Sequence, residues 1–177
     1  MNEYDWPVRF REVYDAGTER DRKGERNPQR LCSKAELEFL ASTGCSAQEI
    51  FDFIDDFAGY GEPVFETVLL TTAVRRDYFR LVQNGVPSGK QVDMDALPAK
   101  TDAVDGIEWL PRIIEKARAK LRGEMPADLM YGCGGDRPFL RGVNVELAEF
   151  LRLVWLCGED NRRIVEYVKN RRAQMSA

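Results

Sequence analysis

The chemistry-bearing residues gather in one short stretch. Cys133 stands in the run Tyr131-Gly132-Cys133-Gly134-Gly135-Asp136-Arg137. A thiol there is a candidate nucleophile or redox centre. Gly132, Gly134 and Gly135 allow positive φ and bring backbone amides close to a ligand, and successive amides can form an anion-binding nest. Arg137 and Arg141 add charge. Upstream, Arg112, Lys116 and Lys120 recur at i, i+4 and i+8 on one helix face, with Arg118 and Arg122 at its other edge. Arg112 offers a fork for carboxylate or phosphate, and Lys116 a point charge. The expectation is a site for a small anionic metabolite, with or without turnover. Its candidate residues are Arg112, Lys116, Arg118, Tyr131, Cys133, Gly134, Gly135, Asp136 and Arg137, with Tyr131 orienting the ligand. Each feature also has a plainer reading. The glycine run serves as a tight interhelical turn around a small buried thiol, with Asp136 opposing a thiolate. Lys120 and Arg122 read as a solvated face. Arg112, in a first helical turn, opposes the helix dipole, which suggests a partner.

Other residue types narrow the mechanism. The chain has no histidine. That excludes Ser-His-Asp and Cys-His nucleophile activation and every zinc site with an imidazole ligand. Proton transfer then falls to Asp, Glu, Lys, Tyr or Cys. The four cysteines, Cys32, Cys45, Cys133 and Cys157, form no C-x-x-C pair and match no zinc pattern. Reduced thiols in a cytoplasmic protein are expected. No signal peptide opens the chain, and no window reaches the roughly 20 apolar residues of a membrane span. Glu49, Asp52, Asp55 and Asp56 share a helix face, but carboxylate-bridged metal sites add Glu-x-x-His pairs, so a solvated acidic face is expected. No metal or cofactor is implied. Residues 39–50 look like a helix-turn-helix, yet the second helix carries four acids and no base. With a net charge of -4, nucleic acid is not an expected partner.

Helices must position these groups. The chain has 177 residues, 44% hydrophobic and 32% charged, enough for a buried core. Asp5 would cap a helix ending near Gly17, followed by a polar linker. Ser33-x-x-Glu36 and Ser46-x-x-Glu49 are capping boxes opening two helices, stopped by Gly44 and by Gly59 or Gly61. Pro63 would open a core helix ended by Asn84-Gly85. Residues 86–106 lack a period and read as one long loop. Leu110 to Arg122 is amphipathic and stops at Gly123. Asn144 would cap the next helix, ended by Gly158, and Asp160 or Asn161 opens the last. Lys169, Arg171 and Arg172 lie late in that helix, where cations favour its dipole. No β-hairpin is expected. The predicted fold is an all-α bundle of about seven helices. Its helical parts at 1–85 and 107–177 form one compact domain overall.

The segment WLPRIIEKARAKLRGEMP…MYGCGGDRPFL resembles an uncharacterised bacterial family described as a domain of unknown function. The resemblance rests on Leu110, Pro111, Arg112, Glu115, Lys116, Ala117, Arg118, Gly123, Tyr131, Cys133, Asp136 and Phe139. It spans roughly residues 106–170, with the first 85 residues resembling the extension of a longer subtype. It implies a small, helical, soluble bacterial protein and transfers no activity. Two further readings compete with metabolite binding. Trp109, Trp155, Phe139 and Tyr167 could anchor a homodimer or adaptor interface. Cys133 could act alone as a thiol redox sensor.

Overall fold

A computed structural model describes residues 3–175. Among the described residues the fold is all-α apart from one hairpin of two two-residue strands, with nine α-helices. It divides into two compact units, Met1–Pro87 and Ser88–Ala177.

The first unit contains α1 (Trp6–Arg22), α2 (Pro28–Leu31), α3 (Lys34–Ser42), α4 (Ala47–Tyr60) and α5 (Phe65–Leu81). Phe10, Val13 and Tyr14 of α1 are buried with Leu31, Phe39, Leu40, Ile50, Phe53, Ile54, Val68, Val74 and Phe79. Both serine capping boxes form: Ser33 and Ser46 accept from Glu36 N and Glu49 N, and each glutamate accepts from the cap amide. Three expectations are corrected. Asp5 makes no side-chain cap bond, and α1 continues five residues beyond Gly17 to Arg22. Gly17 is a packing glycine, because a Cβ there would stand 2.9 Å from Ile54 Cδ1. The polar stretch after it contains α2, capped by Asn27. Finally, α5 opens at Phe65 behind the N-cap Val64, with Pro63 outside the helix.

The second unit contains β1 (Ala103–Val104), β2 (Ile107–Glu108), α6 (Leu110–Arg122), α7 (Asp136–Gly142), α8 (Leu147–Cys157) and α9 (Asn161–Met175). Helix α6 has the predicted bounds and ends at Gly123 in the left-handed conformation, φ 69°. Its Leu110, Ile113, Ile114, Ala117 and Leu121 are buried, as are Phe150, Leu151 and Val154 of α8 and Ile164 and Val168 of α9. The expected absence of a hairpin is wrong. β1 and β2 pair antiparallel around Asp105-Gly106, whose φ values are 51° and 74°. Asp-Gly suits a turn with two positive φ angles, but two-residue strands are too short to alternate visibly. The cap of α8 is Glu146, in a box with Glu149, and not Asn144. Asn144 instead takes φ 52° before it. The segment read as a loop is tethered: Ser88 Oγ donates to Glu124 Oε1 at 2.5 Å and Val92 N to Glu124 O at 3.0 Å. No helix among the described residues is long and apolar enough to cross a membrane.

Candidate functional site

The site lies within the second unit, where α6 meets the 131–135 turn and the start of α7. Its centre is Asp136, whose side chain is completely buried. Three donors converge on that carboxylate. Lys116 Nζ donates to Oδ2 at 2.5 Å, Gly132 N to Oδ2 at 2.8 Å, and Trp109 Nε1 to Oδ1 at 2.9 Å. A buried carboxylate requires such compensation. The turn and α6 thus hold an anion, and that anion belongs to the chain itself.

The Lys116 ammonium has a second contact, donating to Cys133 Sγ at 3.2 Å. Lys116 is only 3% exposed, whereas Cys133 is half-buried. The turn carrying the thiol is pinned on both sides. Arg137, itself buried, donates from Nη1 to Gly132 O at 2.7 Å, and Arg137 N donates to Cys133 O at 3.1 Å. Gly132 takes φ 89°, so positive φ is required there, but neither Gly134 nor Gly135 adopts it. Gly135 serves another purpose. A Cβ on it would stand 2.4 Å from Trp109 Cζ2 and 2.6 Å from Cη2. The indole lies directly on the glycine backbone.

Trp109 itself has φ 69° and ψ -26° at the N-cap of α6. A bulky residue in that region carries about 1–3 kcal/mol of strain. Nε1 reaching Asp136 and the ring seated on Gly135 are the interactions that offset it. Its aromatic type suggested an interface anchor in the sequence; its placement makes it part of the Asp136 cluster. A left-handed tryptophan has no local sequence signal, since the conformation usually selects Gly or Asn.

The remaining candidate residues lie apart from this cluster. Arg112 Nη1 donates to Pro98 O at 2.6 Å, holding the segment before the hairpin. Arg118 Nη1 donates to Glu115 Oε1 at 2.5 Å, while its Nη2 donates to Gly158 O at 2.7 Å and Asn161 Oδ1 at 2.6 Å, at the α8–α9 junction. The Tyr131 hydroxyl donates to Leu147 O at 2.8 Å inside the core. Burial, with a smaller contribution from the Asp136 charge, pushes that phenol well above its ordinary range. Gly134 is exposed at the tip of the turn. Lys120 is buried, so the solvated-face expectation fails for it. Arg122 is half-buried and pairs with Glu124 at 2.6 Å. The other three cysteines are buried; burial pushes the Cys32 thiol up to about 11 and raises that of Cys157. No group of three or more His, Cys, Asp or Glu among the described residues is arranged to hold a metal ion.

The segment carrying this geometry has relatives. Residues 96–177 match the family described as Domain of unknown function (DUF5069). The match covers the hairpin, α6, the cysteine turn and α7 to α9, and excludes the first unit entirely. No curated protein and no solved structure matches the chain.

Proposed function

We propose that the DUF5069-matching unit works through Cys133 as a thiol-based redox sensor. The observation that supports this is the Lys116 ammonium 3.2 Å from the sulfur of the one cysteine that is not buried. Reactive cysteines sit in partially exposed microenvironments beside cations, while buried structural cysteines are inert. Asp136 holds the ammonium in place and is itself held by Trp109 Nε1 and Gly132 N. Cys133 needs no histidine in this role, in keeping with a chain that has none.

The metabolite reading draws on the same donors. At Lys116 and Gly132 an external anion would have to replace Asp136. That favours the thiol reading.

Iodoacetamide labelling of the native protein, followed by peptide mapping, tests the proposal. Cys133 is expected to be labelled at neutral pH ahead of the buried Cys32, Cys45 and Cys157. Alkylation of Cys133 only under alkaline conditions would sink the proposal. Native mass spectrometry showing a small anion retained through Arg112 or Lys116 would move the assignment to metabolite binding.

A further inference from the structure

We propose that Cys133, once oxidised, is captured by Lys116 in a direct sulfur–nitrogen bond. The pair is then a reversible covalent latch between α6 and the cysteine turn. This inference rests on the thiol reading above and names what becomes of the oxidised sulfur.

Three observations lead to it. The two reacting atoms are already adjacent, with Nζ 3.2 Å from Sγ. The amine is sequestered from solvent and held by Asp136 Oδ2 at 2.5 Å, so it has little freedom to leave the sulfur. Cys133 is half-buried, unlike the other three cysteines, and its sulfur has the Lys116 ammonium against it. A sulfenic acid is ordinarily resolved by a thiol or by a backbone nitrogen, and further oxidation takes it to sulfinic acid. Here the group in contact with the sulfur is an amine.

The chemistry balances with a hydroperoxide as oxidant. The Cys133 sulfur attacks the peroxide oxygen, the O–O bond breaks, and an alcohol or water leaves. Sulfur gives up two electrons and becomes the sulfenic acid. Lys116 then passes one proton from its ammonium to the adjacent Asp136 carboxylate, which keeps it. Its nitrogen attacks sulfur, the N–S bond forms and the S–O bond breaks. The departing hydroxide takes a second proton from nitrogen and leaves as water. The second step involves no further oxidant, and an external thiol reverses the link by attacking sulfur.

The test treats the whole reduced protein with hydrogen peroxide, then reads intact mass and maps peptides without reduction. The expected result is a loss of about 2 Da and a peptide joining residues 116 and 133, released by dithiothreitol. In K116R the joined peptide is absent and dimedone labels Cys133 instead. Cys133 joined to Cys157 overturns the proposal. So does a gain of about 14 Da on the joined peptides, which would place an oxygen between sulfur and nitrogen. Sulfinic acid at Cys133 with residue 116 unlinked overturns the latch and leaves the thiol reading standing. Failure of Cys133 to oxidise at all overturns both. The wild-type map decides among these even where K116R does not fold.

Discussion

Lys116→Met would leave Asp136 buried with the Trp109 indole and the Gly132 amide as donors and no cation against it. Breaking a buried pair on one side typically costs about 3–5 kcal/mol, because the remaining charge is uncompensated. Urea unfolding should show that loss. K116M combined with D136N, which removes both charges, should lose less than K116M alone, and a larger loss would contradict the pairing. At this scale the sequence singled out several residues that the fold brings together, but not the contacts they make. Lys116, Cys133, Gly135, Asp136 and Arg137 do converge. What stayed hidden was that Asp136 is the anion and Trp109 its third donor. Spacing along α6 places the apolar stripe inward, but does not show that the neighbouring basic face is buried as well. Lys116 and Lys120 are buried against the usual habit of lysine.

Helix boundaries were legible where local chemistry sets them. The Ser33 box forms, and its Glu36 also receives Arg20 Nη1 at 2.7 Å. Burial pushes the Glu36 carboxyl up, but the bonds from Arg20 and Ser33 prevail and hold it below its ordinary value. Ser33→Ala should destabilise the protein by about 1 kcal/mol in chemical denaturation, and an unchanged midpoint would remove the cap from the account. Helix α6 was equally legible because Pro111 starts it and Gly123 stops it. Helix α7 was not. It is seven residues long, carries Pro138 and has no side-chain cap bond. The hairpin was missed for the same reason of length. Gly17 was misread as a stop because a glycine chosen for close packing against Ile54 looks the same in sequence as one chosen for positive φ.

Across the whole molecule, each unit contains a buried phenol that the fold keeps protonated. Burial, with a smaller push from the Asp15 charge, raises Tyr14 to about 12, and burial takes Tyr131 well above its ordinary range. The sign follows from proton counting. Above the unfolded phenol value of about 10, the unfolded chain has released protons that the folded chain retains. Both contributions are fully present below about pH 10 and are lost as pH rises through the folded values. Thermal midpoints should therefore fall on the alkaline side of pH 10. Tyr131→Phe should blunt the fall, and a midpoint flat to pH 12 would contradict it. The contact between Trp109 and Gly135 gives the molecule one more property. That indole rests on the turn that carries Cys133 and shares Asp136 with Lys116. Of the three tryptophans, Trp6 lies in α1, outside the matched segment, and Trp155 lies in α8. With those two replaced by phenylalanine, the emission of the remaining indole is expected to report any rearrangement of that turn, without an added dye.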